Sequence, residues 1–250
     1  NKAESNAWGK HMKEIQVGLI GLGTVGCGLV KVLEDNSEML KERLGVPLRL
    51  KRVVDIDLES PRPVSLPRKI LSTQVEDILA DEEIRIVVEL IGGMEPAKTF
   101  LLEAMKRGKH VVTANKALLA VHGNELFAAA REHQVNIAFE AAVGGGIPLI
   151  RTLREGLVAN RIGHIYGILN GTANYILTRM AREGTTFADA LKEAQAQGIA
   201  EADPSLDVEG VDAAHKITVL SSLAYCCEID FNQVHTEGIS QIAPSEILSQ

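Results

Sequence analysis

IQVGLIGLGTVGCGLVKVL, residues 15–33, carries the strongest indication of the fold in the first half of the chain. The apolar run Ile15–Ile20 is typical of a strand, and the residues from Val25 onward have helical spacing. The turn between them contains three glycines in GxGxxG spacing: Gly21, Gly23 and Gly26. The first permits a tight turn, the second lets a pyrophosphate approach the backbone, and the third lets the helix pack on the strand. A glycine turn can be purely structural, but a strand before it and a helix after it favour a dinucleotide site, with the N–H groups near Thr24 and Val25 facing the phosphates.

The composition narrows the class of protein. The chain has 250 residues, of which 46% are hydrophobic and 24% charged, which is enough for two ordinary globular domains. Its net charge of −7 comes from interspersed acidic and basic residues, so we expect no nucleic-acid partner. No apolar run reaches the roughly 18 residues of a membrane span, no signal peptide is legible, and the three cysteines form neither a disulfide framework nor a zinc pattern. We therefore expect a cytoplasmic protein that acts on a small molecule and not at a membrane.

Beyond the glycine turn, strands alternate with helices, as in a parallel sheet covered on both faces. The predicted strands are Ile15–Ile20, Leu48–Val54, Ile84–Ile91, His110–Thr113 and Val135–Phe139. The predicted helices are Val25–Leu44, Ala97–Arg107 and Gly123–Glu132. We predict an α/β fold, a Rossmann-type doubly wound parallel sheet in a domain of residues 13–147, with Gly92 and Gly93 at the carboxyl edge where ligands bind. Residues 1–12 lack apolar periodicity and are interpreted as linker or vector-derived sequence.

Residues 141–148, AAVGGGIP, break the alternation, and we place the domain boundary there. The second region, residues 148–250, is predicted to be an α+β domain that carries the substrate. Its predicted elements are the strand Ile162–Leu169 and the helices Leu149–Leu157, Ala173–Arg182, Phe187–Gln197 and Val211–Cys226. The last helix is free of charge from Ile217 to Cys227, so we expect it, with its cysteines, to be mostly buried.

Asp55 follows the second predicted strand, where the side chain usually reports which nicotinamide dinucleotide is bound. A carboxylate there accepts a hydrogen bond from the ribose 2′-hydroxyl and repels a 2′-phosphate. In the alternative interpretation Asp55 or Asp57 only caps a loop. Lys51 and Arg52 remain candidates to reach a phosphate.

Two lysines are candidates for the chemistry. Lys116 follows the strand His110–Thr113 and lies at the carboxyl edge of the sheet, although a lysine at a helix start is equally typical of a solvated surface. Lys216 follows Asp212 by four residues, so the two share one helical face. On a surface this would be a weak ion pair of about 0.2–0.5 kcal/mol. Next to the apolar stretch that follows, an amine with a carboxylate partner is suited to proton transfer near neutral pH, which favours a functional role.

Seven motifs in both regions resemble those of the homoserine dehydrogenases, in the same order and at the family's spacing. They are GLGTVG, VVELIGG, VVTANKALLA, FEAAVGGGIP, NGTANYIL, AEADPSLDVEGVDAAHK and EGIS, and they extend the resemblance from about Ile15 to Ile242. Members of this family interconvert L-homoserine and L-aspartate 4-semialdehyde with NADH or NADPH, in the pathway to threonine, methionine and isoleucine. Several long motifs together are far more specific than the glycine turn alone.

The resemblance implies roles for individual residues. It implies that Lys216 exchanges the proton of the substrate oxygen and that Lys116 lies near nicotinamide and substrate. It implies that Glu201 and Asp212 bind the substrate amino group, that Asp207 supports the lysine and that Gly198 touches the cofactor. The implied lining of the substrate site is Asn170, Thr172 and Tyr175. The implied site of a monovalent cation, usually Na⁺, consists of Glu140, Val143, Gly145 and Ile147, mostly through backbone carbonyls.

The sequence departs from the family pattern in two places. Many members have a basic residue beside the acidic one after the second strand, whereas this chain has Ile56, so we expect NAD to be favoured over NADP. Family cores also continue well past the residues that match Ser240 to Ile242, completing a sheet and a dimer interface, so we expect this chain to be incomplete at its C-terminus and to form a homodimer or higher homo-oligomer when full-length.

Two alternatives to a homoserine dehydrogenase stay open. One is an enzyme like aspartate-semialdehyde dehydrogenase, which requires a nucleophilic cysteine on an exposed loop. Cys27, in the first helix, and Cys226 and Cys227, in the expected buried helix, do not suit that role. The other alternative is a non-catalytic dinucleotide-binding module. Activity with homoserine and NAD distinguishes the first interpretation from both.

Overall fold

The computed structural model of the chain describes residues 14–228 and 230–247, so the predicted linker at residues 1–12 lies outside them. The described residues form two compact units. The first contains residues 14–118 and 122–142, and the second contains residues 119–121, 143–228 and 230–247. No helix in these described segments combines the length and apolar character that a membrane crossing requires.

The first unit is built on a six-stranded sheet in which all neighbouring strands are parallel. The strands are β1 (Ile15–Ile20), β2 (Leu48–Val54), β3 (Leu71–Ser72), β4 (Ile84–Glu89), β5 (His110–Thr113) and β6 (Ile137–Ala138). Their order is β3-β2-β1-β4-β5-β6, so the chain direction across the sheet reverses between β1 and β4. This order is that of the doubly wound dinucleotide-binding sheet, and the predicted fold of this region is confirmed.

Helices accompany the sheet along the chain. They are α1 (Thr24–Asp35), α2 (Ser37–Leu44), α3 (Glu76–Leu79), α4 (Ala97–Lys106) and α5 (Lys116–Glu132), with 3₁₀ turns at Arg68–Ile70 and Glu140–Ala142. Between α1 and the sheet lies an apolar core that includes Leu19, Val30 and Val53, all without exposed surface. Burial of such side chains contributes about 1.5–3 kcal/mol each and fixes the glycine turn at the edge of this core.

The predicted helix Val25–Leu44 is wrong as a single element. It is interrupted at Asn36, which has non-helical backbone angles and donates its side-chain amide to the Val32 carbonyl at 3.2 Å. Asparagine competes in this way with helical hydrogen bonds, which the apolar periodicity does not show. The α5 helix begins at Lys116 instead of Gly123, because the Asn115 side chain accepts the Leu118 N–H at 3.1 Å and caps it.

Helices also make up the regular structure of the second unit. They are α6 (Leu149–Arg151), which continues as a π-helical turn at Thr152–Gly156, α7 (Gly171–Glu183), α8 (Phe187–Ala196), α9 (Ser205–Val208), α10 (Val211–Tyr225), a 3₁₀ turn at Phe231–Gln233 and α11 (Pro244–Ile247). The α7 and α8 helices pack through Ile176, Met180, Ala190 and Ala194, none of which has exposed surface. The same core includes Val208 of α9, so it holds α7, α8 and α9 together.

The predicted strand Ile162–Leu169 is wrong. These residues have no regular structure, and Tyr166 and Ile168 are 88% and 74% exposed. Residues such as isoleucine and tyrosine, frequent in this segment, favour a strand. A strand also needs a neighbour for its N–H and C=O groups, and the described residues of the second unit contain no strand. The α+β expectation for this region is therefore met only in its helices.

Two of the three cysteines are more exposed than predicted. The α10 helix ends at Tyr225, and Cys226, with φ of +52°, and Cys227 follow it as exposed residues. The buried residues of α10 extend from Asp212 to Leu220, and its last turn, residues 221–225, is partly or fully exposed. Cys27 is buried in α1.

Candidate active site

The glycine turn between β1 and α1 is closed tightly. Gly21 has φ of +101°, and its N–H donates to the Val54 carbonyl at 2.8 Å. Gly26 lies against the carbonyl oxygen of Gly21, in space that a Cβ would need. Gly23, by contrast, faces open space at the start of the 12-residue α1 helix, where no atom lies within 4 Å of its missing Cβ. A backbone that is open at a helix N-terminus, with Thr24 exposed beside it, fits a pyrophosphate.

Asp55 turns back toward the glycine turn. Its Oδ2 accepts the Leu22 N–H at 2.5 Å and its Oδ1 accepts the Asp57 N–H at 2.9 Å, and the side chain is 13% exposed. Both interactions are those of a loop cap, the alternative interpretation of this residue. A carboxylate nevertheless has about four acceptor positions, so these two bonds leave room for a ribose hydroxyl.

Arg62 is a functional candidate that the sequence analysis missed. Its Nη2 lies 3.8 Å from Asp55 Oδ1 and 3.6 Å from Asp57 Oδ2, and it donates to the Asp57 carbonyl at 2.9 Å. Hydrogen bonds from Ser60 hold the pKa of the Asp57 carboxyl below its ordinary value of 3.8. Arg62, Ser60 and Leu22 belong to the lining of one cavity of about 230 Å³. The only signal in the sequence is a basic residue in the loop after β2.

Lys51 and Arg52 are engaged elsewhere. The Lys51 ammonium lies 2.7 Å from Asp81 and 2.5 Å from Glu83, ahead of β4. Arg52 donates to the Lys69 carbonyl at 2.9 Å. These contacts favour Arg62 over both as the cation beside Asp55.

The ends of β4 and β5 form a second part of the carboxyl edge in the first unit. Gly92 and Gly93 follow β4 as exposed residues with φ of +74° and +72°. β4 stops at Glu89 instead of Ile91, because the Glu89 carboxylate accepts the N–H groups of Ile91 and Gly92 at 2.9 and 3.0 Å. Lys116, half-buried, is the first residue of α5.

Four predicted residues of the second unit meet in one hydrogen-bonded group, which we call the lysine–carboxylate cluster: Asn170, Asp207, Asp212 and Lys216. The Asn170 amide donates to Asp207 Oδ1 at 2.6 Å and to Asp212 Oδ2 at 2.9 Å. The Lys216 ammonium donates to the same Asp212 Oδ2 and to the Leu169 carbonyl, both at 2.5 Å.

Local structure positions this cluster. Asn170 is the N-cap of α7, where its Oδ1 accepts the Ala173 N–H at 2.7 Å. Asp212 and Lys216 lie one turn apart on α10, and their side chains are only 10% and 19% exposed. The Lys216 ammonium is thus fixed by two acceptors and partly withdrawn from water, which makes it suitable for directed proton transfer.

Other residues named from the sequence lie outside this cluster. Thr172 is buried and donates to the Ile199 carbonyl at 3.2 Å. Tyr175 packs between α7 and α8, where burial and a hydrogen bond with Glu193 raise the pKa of its hydroxyl above 10.0. Glu201 is exposed and makes no hydrogen bond to the cluster within the described part of the chain. Gly198 ends α8 in a left-handed conformation, with φ of +71°.

Both units match family models of known function. One model, described as "Homoserine dehydrogenase, NAD binding domain", matches residues 21–140, and a second, described as "Homoserine dehydrogenase", matches residues 148–250. The solved structure of a putative homoserine dehydrogenase from Archaeoglobus fulgidus is 31% identical, with a TM-score of 0.80, and the match covers 92% of this chain and 74% of that one. The chain belongs to the homoserine dehydrogenase family.

Bacterial homoserine dehydrogenases are more similar in sequence. The enzyme of Bacillus subtilis is 49% identical over 236 residues, which are 94% of this chain and 54% of the relative. The solved structure from Thiobacillus denitrificans is 50% identical, with a TM-score of 0.86, and the match covers 94% of this chain and 54% of that chain. This chain therefore spans about half the length of the curated homoserine dehydrogenases that it matches.

The turn that the homoserine dehydrogenase resemblance implies as a cation site contains two glycines in the left-handed conformation. Gly144 and Gly146 have φ of +65° and +84°, so successive carbonyls point in different directions. The Gly144 carbonyl accepts the Ile147 N–H at 2.8 Å, and the Ile147 carbonyl accepts the Leu149 N–H at 2.7 Å. Val143 is buried, Gly145 is exposed, and Glu140 begins a 3₁₀ turn. The described residues contain no group of three or more His, Cys, Asp and Glu side chains arranged to hold a metal ion.

Proposed function

We propose that this chain contains the cofactor-binding and catalytic residues of a homoserine dehydrogenase, which interconverts L-homoserine and L-aspartate 4-semialdehyde. The observation that carries the proposal is the lysine–carboxylate cluster, in which the Lys216 ammonium is held by Asp212 and the Leu169 carbonyl. It lies in a chain whose other half is a dinucleotide-binding unit of the same family. When bound, the nicotinamide cofactor supplies or accepts the hydride.

Lys216 handles the proton that accompanies the hydride. In aldehyde reduction its ammonium gives a proton to the oxygen on which negative charge develops, and in homoserine oxidation the amine takes the hydroxyl proton back. The bond to Asp212 orients the ammonium in both directions. The arrangement of Asn170 between Asp207 and Asp212 supports a positioning role, because it links Asp207 to the lysine through Asp212.

The remaining residues of the second unit are proposed to bind the substrate. Asp212 and Glu201 bind the amino group, since both are carboxylates and the group is a cation at neutral pH. Asn170, Thr172 and Tyr175 line the site in this proposal, although Thr172 and Tyr175 are engaged with Ile199 and Glu193 in the structure.

The cofactor is proposed to bind along the glycine turn and the edge formed by Gly92, Gly93 and Lys116, with Gly198 as a further contact. NAD is proposed to be favoured over NADP, because the Asp55 carboxylate repels a 2′-phosphate and the exposed Ile56 offers it no charge. The positive charge of Arg62 weakens that repulsion but does not cancel it, since Arg62 lies between the carboxylates of Asp55 and Asp57.

Further proposals concern the whole protein. The carbonyls of Val143, Gly145 and Ile147, with Glu140, are proposed to hold a monovalent cation, which prefers such hard oxygen ligands. The domain boundary is proposed to lie within residues 141–148. The full-length enzyme is proposed to be a cytoplasmic homodimer or higher homo-oligomer.

A direct assay tests the proposed reaction. The chain is mixed with L-homoserine and NAD, and NADH is followed by its absorbance. We expect NADH only when both are present, and none with L-α-aminobutyrate, which lacks the hydroxyl group. The proposal would be contradicted if the folded chain binds NADH in a titration but produces no NADH from L-homoserine and NAD.

A further inference from the structure

Glu89 is the most completely buried charged side chain of the first unit. It is the last residue of β4 and has no exposed surface, although it stands at the edge of the sheet where ligands bind. A buried carboxylate is costly unless hydrogen bonds replace its water. Its partners therefore show what this residue is there to do.

Three donors converge on the Glu89 carboxylate. Its Oε1 accepts the N–H groups of Ile91 and Gly92, and its Oε2 accepts the Thr113 hydroxyl at 2.5 Å. The Thr113 hydroxyl in turn accepts the Asn115 N–H at 3.0 Å. The Asn115 amide donates to the Gly93 carbonyl at 2.6 Å, which returns the chain of hydrogen bonds to the glycine pair. We call this closed circuit of Glu89, Gly92, Gly93, Thr113 and Asn115 the edge ring.

The edge ring fixes two features that face a ligand. One is the Gly92–Gly93 turn, whose two left-handed residues are held at both ends, at the Gly92 N–H and the Gly93 carbonyl. The other is the start of α5, where Asn115 caps the Leu118 N–H and so sets the backbone of Lys116. Asp55 belongs to neither feature, whereas Leu90 and Ile91, which precede the Gly92–Gly93 turn, lie close against Gly21 of the glycine turn after β1.

The position of the ring in the sheet indicates which part of the cofactor it serves. A doubly wound sheet binds one mononucleotide half on each side of the switch point, which lies here between β1 and β4. Asp55 follows β2 and belongs to the half that binds the adenosine ribose. The ends of β4 and β5, which carry the ring, belong to the other half.

We propose that Glu89 is a positioning residue for the nicotinamide half of the cofactor, acting through Thr113 and Asn115 on the Gly92–Gly93 turn and Lys116. This inference rests on the proposed function, since it assumes a nicotinamide dinucleotide. Glu89 does not touch the cofactor itself. Its carboxylate offers acceptors only, which matches the three donors and fixes Thr113 as the donor in the bond between the two side chains.

Because Thr113 must donate to Glu89, the edge ring is sensitive to a conservative change. In Glu89→Gln the new amide keeps the two backbone N–H bonds through its oxygen, but it presents an N–H₂ group to Thr113, which already accepts from Asn115. The Thr113 proton then has no acceptor in the ring. Thr113→Val removes the same link from the other side, and Thr113→Ser keeps the hydroxyl.

The test compares two ligands that differ by the nicotinamide ring, NADH and ADP-ribose. Fluorescence titration of the chain gives the NADH affinity and the emission shift on binding, competition gives the ADP-ribose affinity, and circular dichroism reports the fold. In both Glu89→Gln and Thr113→Val we expect NADH binding to weaken about five- to tenfold with a smaller emission shift, while ADP-ribose binding stays within about twofold. Thr113→Ser, which keeps the hydroxyl group, is expected to bind NADH with the affinity of the unsubstituted chain.

Other outcomes separate this inference from the proposed function. An equal loss of both ligands in the folded variants, or no loss of either, would overturn the positioning role and leave the proposed function intact. Should Glu89→Gln fail to fold, Thr113→Val decides the question by the same comparison. A folded unsubstituted chain that binds neither ligand would overturn the proposed function, and this inference with it.

Discussion

At the scale of single residues, Asp55 and Arg62 have opposite electrostatic effects on the 2′-phosphate of NADP. Its carboxylate repels a 2′-phosphate, whereas the Arg62 guanidinium, 3.8 Å away, attracts one. Because Arg62 lies between Asp55 and Asp57, the repulsive charges outnumber the attractive one. We therefore propose that the choice between NAD and NADP depends on Asp55 and Arg62 together and not on Asp55 alone.

This pair yields a prediction for cofactor preference. Arg62→Ala removes the cation and should weaken NADP binding about fivefold more than NAD binding, because each charge interaction near a protein surface is worth about 1 kcal/mol or more. Asp55→Ala should narrow the NAD preference, and it should also weaken both cofactors, since the Leu22 N–H loses its acceptor. Direct titration of NAD and NADP into each variant measures the ratio. Unchanged ratios in both variants would show that another residue sets the preference.

Arg62 and Glu89 show what sequence reasoning misses at this scale. The spacing of Asp212 and Lys216 on one helix was readable, because helical geometry brings residues four apart together. Arg62 acts across an irregular loop whose path no periodicity reveals. Glu89 was hidden inside the apolar run of β4, and one of the three donors that compensate its burial, Thr113, lies 24 positions away in the sequence.

At the scale of elements, the contact between β1 and α1 depends on two glycines with different surroundings. A Cβ at Gly26 would collide with the Gly21 carbonyl oxygen, whereas a Cβ at Gly23 would meet no atom within 4 Å. The backbone of Gly23, with φ of −73°, also suits alanine. One glycine therefore serves packing, and the other leaves space for a ligand.

Substitution by alanine separates these two roles. Gly26→Ala should lower the free energy of unfolding by about 1–3 kcal/mol, because overpacking forces the helix away from the turn. Gly23→Ala should change stability by less than about 0.5 kcal/mol and weaken NADH binding about tenfold or more, because the methyl group occupies the space of the pyrophosphate. Urea unfolding and NADH titration of both variants make the comparison. Full NADH affinity in Gly23→Ala would contradict the placement of the cofactor.

The ion pairs between β2 and the start of β4 link strand stability to pH. Partial burial of Lys51 acts to lower its pKa, but hydrogen bonds to Asp81 and Glu83 outweigh this effect and raise the pKa above 10.5. Burial of Asp81 acts to raise the pKa of its carboxyl group, but the hydrogen bond from Lys51 outweighs this effect and holds the pKa below its ordinary value of 3.8. A lowered carboxyl pKa contributes stability above its unfolded value, and this contribution is lost as the pH falls through the folded pKa.

Lys51→Met is therefore expected to destabilise the protein by about 0.5 kcal/mol at pH 7 and by less below about pH 4. Urea unfolding at pH 7 and pH 3 measures the difference. Lys41→Met is the matched control, since the ion pair of Lys41 with Glu38 is exposed and spans 3.3 Å, and it should have little effect at either pH. An equal loss for Lys51→Met at both pH values would show that its packing matters and its charge does not.

At the scale of the whole molecule, the sequence predicted the two halves unequally well. Five of the six strands and the parallel type of the sheet were predictable, because strand, glycine turn and helix follow each other with strong local signals. The two-residue strand β3 was not predicted, because it is too short to show a periodicity. The conformation of Ile162–Leu169 was not predictable, since a segment rich in isoleucine favours a strand but does not show whether a neighbouring strand is present to pair with it. The longer helices of the second unit, α7, α8 and α10, were predictable, because their caps and periodicity are local. The four-residue helices α9 and α11 were not predicted, because they are too short to show a periodicity.

Within the lysine–carboxylate cluster, Lys216 is proposed to exchange the proton of the reaction. The most direct test measures NAD reduction by L-homoserine in the unsubstituted chain, in Lys216→Ala and in Lys192→Ala, an exposed lysine on α8 that serves as the control. We expect Lys216→Ala to lower kcat by about 10²–10⁴-fold while its NADH affinity stays within about twofold, and Lys192→Ala to behave like the unsubstituted chain. A folded Lys216→Ala variant that oxidises homoserine at the unsubstituted rate would contradict this account.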